Sequence, residues 1–343
     1  MQKSFKQAYV DQRDKTAGRI RAYLQRRPHR SFRMSRRRDY VRNLVLPGYW
    51  RFTKEVRKLL WANRKLFFSL AIVYALLTIA LVGLGSQESY ANLTSTLRQT
   101  GSEVFTGQWG KIGEAGLLFA SVATSGLTGT ASDVQQVYTL ILLLFVWVTT
   151  VYLLRQVLAG RKVRLRDGLY NAGAPVIATL LITGLVLVQT IPLALATIGY
   201  SAASATGLIA GGIEAMLFWA TAGLLTVLSM YWLVPSFFAM VIVTLPGTYP
   251  MYALRTAGDI VTGRRMKILL RMVWLLASLV VLWAVTLIPI ILFDGAIKAV
   301  WPAIESAPIV PIALLAISTI SVIWAATYVY MLYRKVVEYD AAE

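Results

Sequence analysis

The chain contains one histidine, His29, and no cysteine, so the side chains most often used as metal ligands, nucleophiles and general bases are almost missing. His29 stands inside the arginine-rich stretch RAYLQRRPHRSFRMSRRRDYVR, with no second ligand or orienting partner beside it, and reads as a solvated tail residue. Neither a disulfide nor a thiolate metal site can form. A glycine-rich phosphate loop, a Ser/His/Asp set and a carboxylate pair in a plausible context are all lacking. The expectation is a protein that is not an enzyme and uses no metal or cofactor.

Three polar positions in apolar runs could still do chemistry. Glu214 and Asp294 stand at the ends of such runs and Gln189 lies within one. Ionisable groups in a membrane often mark ion or substrate paths, which makes Glu214, Gln189 and the helix-interrupting Pro235 the candidates for a transport route. The plainer reading puts both acids at headgroup level and gives the Thr, Ser and Gly of the runs to helix packing. Gly173, Ala174 and Pro175 read the same way, as a packing face in preference to an unwound binding site.

The cations say more. Of the 35 Lys and Arg, twenty precede the first long apolar run, five (Arg155 to Arg166) follow the second, five (Arg255 to Arg271) follow the fourth, and Arg334 and Lys335 follow the last. Only Arg98, Lys111 and Lys298 are left for the other side. A net charge of +19 distributed in this way follows the positive-inside rule with an even number of crossings. The side chains expected at the membrane surface are Arg36, Arg37 and Arg38 in the tail; Trp50, Arg57, Lys58, Trp61, Arg64 and Lys65 before the first run; and Arg264, Arg265 and Lys267 after the fourth.

These groups must be positioned by helices. The composition is 57% hydrophobic with a mean hydropathy of +0.60, above the ~45 to 50% apolar share of soluble domains. Six nearly uncharged runs are long enough to cross a ~30 Å hydrocarbon layer: Leu66 to Leu84, Val134 to Leu158, Gly173 to Thr197, Ile213 to Leu245, Ile268 to Phe293 and Ile309 to Tyr333. The predicted fold class is an all-α integral membrane protein of six transmembrane helices with a basic N-terminal cytoplasmic extension. Its predicted parts are a basic, largely mobile extension over 1–48, a basic amphipathic juxtamembrane helix over 49–65, the six-span domain over 66–333 and a short cytoplasmic tail over 334–343.

In the juxtamembrane segment Phe52, Val56, Leu59, Leu60 and Phe67 share one helical face, the pattern of a helix lying at the interface. Ser132 and Gln135 fit a capping box that opens the second span. The apolar stretch AGLLFASVATSGLTGTAS, within the exterior loop 85–132, is expected to be interfacial or re-entrant. A second exterior loop, GYSAASATGLIAGG, is uncharged. Trp324, Tyr328, Tyr330 and Tyr333 read as an aromatic belt near the end of the sixth span.

The segment TLPGTYPMYALRTAGDIVTGRRMKILLR reads as an elbow along the membrane surface. Pro246 and Pro250 stop the fourth span, Pro250 opens a short helix and Gly263 closes it. Spacing puts Met251, Leu254, Gly258 and Val261 toward the bilayer or bundle and Arg255, Asp259 and Thr262 toward water.

The run ALRTAGDIVTGRRMKIL resembles the Ala-Leu-x-x-Ser-x-x-hydrophobic-x-x-Gly pattern of a superfamily of six-span bacterial membrane domains. That group includes the membrane domain attached to some glycerophosphodiester phosphodiesterases and the YciC-like proteins. Ala253, Leu254 and Gly263 match, and Ala257 stands at the serine position, so that hydroxyl is absent. The resemblance implies a helical membrane domain without the catalytic barrel.

The sequence reading is a non-enzymatic multi-pass inner-membrane protein that organises lipid or membrane-protein partners. The alternatives are a small permease or secondary carrier, and an anchor that tethers RNA or an acidic partner through the basic tail. Expected partners are the phospholipid bilayer and its anionic headgroups, with another membrane protein or a second copy of the chain as further candidates. Nucleic acid is disfavoured because the tail lacks aromatic interleaving and no folded nucleic-acid module is recognisable. A reporter active only in the cytoplasm should give signal when fused after Gly168 or Gly263 and none after Gln99 or Ala303; signal at Gln99 would overturn the six-span topology.

Overall fold

The computed structural model describes residues 44–82, 133–208, 211–301 and 308–342. The tail cations Arg36, Arg37 and Arg38, His29, the Ser132 cap and the apolar stretch of the first exterior loop lie outside them. The described chain is helical, with no strands. In order the helices are α1 (Tyr49–Ala62), α2 (Arg64–Leu81), α3 (Asp133–Leu158), α4 (Leu165–Ala172), α5 (Val176–Ala205), α6 (Ile213–Ile242), α7 (Pro250–Val261), α8 (Arg265–Val300) and α9 (Ile309–Ala342). Six of them, α2, α3, α5, α6, α8 and α9, are long and apolar enough to cross a membrane. In lipid every backbone N–H and C=O must be satisfied within the protein, which a continuous helix does by itself.

Apart from residues 262–264, the described residues belong to one compact unit. Helix α9 packs on α1, α2, α3, α6 and α8, while α5 pairs mainly with α6. The larger core cluster runs from Leu44, Phe52 and Val56 through Leu70, Leu153, Leu154, Phe238 and Ile268 to Tyr328, Leu332 and Val336. A separate cluster of Trp283, Leu287, Ile291, Val310, Leu314 and Ile317 joins the outer parts of α8 and α9. Polar contacts cross between helices as well: Tyr74 and Thr149 hydroxyls lie 3.0 Å apart, Trp147 donates to the Met240 carbonyl at 3.3 Å, and Trp283 donates to Ser321 at 2.8 Å. Such bonds hold membrane helices together where burial from water offers little drive.

Where α3 turns into α4, Asp167 accepts from the Arg164 backbone N–H at 3.1 Å, placing a carboxylate at the positive end of α4. Gly168 is required there. A Cβ would stand 2.8 Å from a Leu153 methyl, so only glycine lets α4 approach α3 this closely.

Helix α1 is fixed from α8. Arg271, 5% exposed and two turns into α8, donates to the Pro47 carbonyl and lies under the Tyr49 ring at 4.2 Å. Lys267 donates to the Leu44 carbonyl at 3.1 Å, and Trp274 donates to Thr53 at 3.0 Å. Trp274 also packs edge-on against Trp50 at 5.0 Å. Phe52 meets Tyr328 edge to face at 4.8 Å, and both are fully buried. The apolar face of α1 therefore docks on protein, because α9 offers it an aromatic socket. For the same reason Tyr328 and Tyr330 are buried and Tyr333 packs on Phe238 at 5.9 Å, so these residues form core and not an aromatic belt.

Other boundaries differ from the sequence reading. Helix α5 continues to Ala205 through the expected second exterior loop, and α9 continues to Ala342 through the expected short tail. Helical hydrogen bonding carries on past the apolar run in both cases, so hydropathy alone stops too early. Gly173 and Ala174 are exposed in the turn before α5 and form no packing face.

The elbow is a helix, α7, which begins at Pro250 and ends at Val261, two residues before Gly263 with its φ of +81°. Its buried stripe is Ala253, Ala257 and Val261; Met251, expected to be covered, is 64% exposed. Leu254 and Gly258 are half-buried, and Arg255 and Asp259 are exposed as expected. The stripe is rotated because α7 packs closely on α6, and close approach selects small side chains over the largest apolar ones. Single cysteines at 255 and 259 should react rapidly with a membrane-impermeant thiol reagent, and those at 253, 257 and 261 slowly; uniform rates would exclude a packed helix.

Candidate functional site

Helices α1 and α2 are separated by one residue, Asn63, with φ −110° and ψ 28°. Its side-chain amide donates to the Leu59 carbonyl at 3.0 Å, which caps the end of α1. Its carbonyl accepts from the backbone N–H groups of Leu66 and Phe67 at 3.0 and 3.2 Å, which starts α2. A polar side chain that can bond its own backbone is well suited to interrupt an otherwise continuous helix. The first turn of α2 is left without a side-chain cap.

Two cavities flank this break. One, of about 220 Å³, is an apolar slot lined by Leu60, Phe67, Phe68, Ala71, Ile323 and Trp324, with Arg57, Trp61 and Arg64 also in its wall. The other, of about 630 Å³, is lined by residues 61–66 and by Val157 and residues 160–163 of the α3–α4 turn, bringing Arg64, Lys65, Arg161 and Lys162 together. Trp61 and Arg64 belong to both walls, and the Arg64 guanidinium lies 5.7 Å from the Trp61 ring. Among the described residues no acid lines either cavity.

The expected surface cations Arg57, Lys58, Arg64 and Lys65 are exposed, as are Trp50 at 70% and Trp61 at 68%. Arg265 is half-buried, with its guanidinium 3.9 Å from the Tyr231 ring centroid. Lys267 is tied to Leu44. Arg264 departs from the expectation: it is buried, and not without partners, as a charge removed from solvent must be.

The candidate transport residues are only partly brought together. Gln189 accepts through its backbone carbonyl from Ser229 and through Oε1 from Ser236 at 2.7 Å, so it joins α5 to α6 next to Pro235. Glu214 is exposed in the first turn of α6, roughly 30 Å along the helix from Pro235. None of the cavities described here is lined by Gln189, Glu214 or Pro235. Asp294 stands apart from these. It is fully buried, 3.0 Å from Lys298 Nζ one turn on, so its carboxylate faces a counter-charge within the protein and not open solvent.

In the stretch 253–269, Ala253 is fully buried, Leu254 is half-buried and Gly263 is in the left-handed region. Ala257, at the serine position, is fully buried in the α7 stripe. Among the described residues no group of three or more His, Cys, Asp or Glu is placed to hold a metal ion. Sequence reasoning missed the meeting of Arg64 and Lys65 with Arg161 and Lys162. The available signal was the second basic cluster, which reads as topology until its neighbour is known.

A double-mutant cycle of Gln189→Leu and Ser236→Ala, read by thermal unfolding in detergent, should give a coupling of about 0.6 kcal/mol, the usual size for such bonds between membrane helices. Zero coupling would show that the pair does not hold α5 to α6.

No protein-family model, no curated protein and no solved structure matches this chain.

Proposed function

We propose that this chain is a non-enzymatic protein of the bacterial inner membrane, with both termini cytoplasmic, that organises anionic lipid at its basic face and thereby gathers membrane-protein partners. The observation that carries this reading is the meeting of Arg64, Lys65, Arg161 and Lys162 around one cleft, with Arg57 and Trp61 in the adjoining wall, while Lys58, Arg164, Arg166 and Trp50 are exposed as well. Each cation near an anionic bilayer surface is worth ~1 kcal/mol of attraction, and tryptophan favours headgroup depth. The arginine-rich sequence before Leu44 adds charge of the same sign. The resemblance of residues 253–269 to six-span bacterial membrane domains is in line with this role.

The carrier alternative has less support, because both oxygens of Gln189 are taken up in holding α5 to α6. To test the reading, the full chain is reconstituted in vesicles containing trace fluorescent anionic or zwitterionic lipid, and energy transfer from tryptophan is measured. The anionic probe should be enriched around the protein, and the enrichment should fall as salt rises past the point where the Debye length is ~8 Å. Equal transfer to both probes at low salt would overturn it.

A further inference from the structure

Resting on that reading, we propose that the cleft around Asn63 holds one anionic glycerophospholipid, its phosphate among Arg64, Lys65, Arg161 and Lys162 and one acyl chain in the slot beside Trp61. Diffuse attraction needs only exposed cations. This cleft has more: a basic cavity and an apolar slot with two residues in common, Trp61 and Arg64. The arrangement matches the two halves of a single lipid.

Charge is the first argument. The basic cavity gathers four cations and, among the described residues, no acid in its wall. Arg161 reaches only as far as the Gln156 amide, at 3.4 Å, and Arg64 stacks near Trp61, so neither contact supplies negative charge. A phosphate with its negative charge would complete the set, and arginine suits it because the guanidinium presents donors in a planar fork.

The break at Asn63 adds a second attraction. Because Asn63 spends its side chain on the Leu59 carbonyl, the start of α2 has no side-chain cap, and this first turn lines the basic cavity. The positive end of an 18-residue helix thus meets the place where four cations converge.

Shape distinguishes a lipid from free phosphate. The basic cavity, at about 630 Å³, falls in the range of small-molecule sites, about 300 to 1,000 Å³. The slot, at about 220 Å³, is narrower and lined by Leu60, Phe67, Phe68, Ala71, Ile323 and Trp324, which give a hydrocarbon chain contact and give a free anion nothing. It is built between α2 and α9, two helices suited to cross the membrane, so a chain lying there remains at the depth of its neighbours in the leaflet.

The test uses the full-length chain in detergent and native mass spectrometry with added phosphatidylglycerol or phosphatidylcholine. Expected are one retained phosphatidylglycerol per chain and no comparable phosphatidylcholine adduct. The pair Arg64→Gln and Arg161→Gln should weaken retention about thirtyfold, from ~1 kcal/mol for each cation lost. Arg64→Lys with Arg161→Lys should retain most of the binding, which separates charge from folding. The control pair Lys54→Gln and Arg255→Gln removes two exposed cations outside both linings and should change little. Ala71→Trp, which fills the slot, should weaken phosphatidylglycerol.

Equal loss in the control pair would overturn the site and leave the wider attraction of the basic face standing. Displacement of phosphatidylglycerol by glycerol phosphate at equal concentration, or an unaffected Ala71→Trp, would overturn the acyl-chain half and with it the lipid. No preference of the unaltered chain for phosphatidylglycerol over phosphatidylcholine, here and in vesicles, would overturn both this site and the proposed function.

Discussion

A buried guanidinium organises one end of this bundle. Arg271 lies where α8 has already entered the core, and a charge there is costly unless it is surrounded by acceptors and aromatic faces. The chain supplies one acceptor and two rings from far away in sequence: the Pro47 carbonyl for Nη2, the Tyr49 ring, and the Phe52 ring with its centroid 5.7 Å away, while Nη1 is buried without a hydrogen-bond partner among the described residues. Holding Arg271 thus fixes the segment before α1 and the first turn of α1. That in turn sets Phe52 into Tyr328 and Val56 into the core. With α1 held against the bundle and α2 running along α9, the chain must change direction between them, and Asn63 is where it does. The cleft that gathers cations from α2 and the α3–α4 turn follows from that change of direction.

How much of this could be read from sequence depends on which force leaves a mark there. Lipid leaves a strong one: all six long helices correspond to apolar runs, and Pro250 and Gly263 bracket α7 as their backbone preferences require. Helix ends outside the apolar layer leave a weak one, which is why α5 and α9 run on past their expected limits and why the eight-residue α4 has no clear signature. Hydropathy reports the solvent around a helix, and the helix itself is held by hydrogen bonds that hydropathy does not see.

The rotational setting of a helix is harder again. For α1 the apolar face is legible, yet protein and lipid are both apolar, so Phe52 and Val56 could not reveal that Tyr328 awaited them. For α7 the most hydrophobic positions misled, since Met251 is exposed while Ala253 and Ala257 are buried. Alanine scores as a weak hydrophobe but as a strong permit for close backbone approach. The basic cleft was invisible for a related reason. Its cations come from segments about a hundred residues apart, and each cluster alone is accounted for by topology.

The docking of α1 also has a consequence in time. Pro47 precedes its partner Arg271 by 224 residues. At about 5 to 20 residues per second, synthesis separates the two by roughly ten to forty-five seconds. Throughout that interval Phe52 and Val56 have no socket, because α8 and α9 do not yet exist. The bilayer surface is the nearest apolar phase, and Trp50, Trp61 and the surrounding cations suit α1 to wait there. The amphipathic pattern then serves two addresses in succession, a lipid surface during synthesis and an aromatic pocket afterward, and closure of the core around Arg271 is among the last steps of assembly.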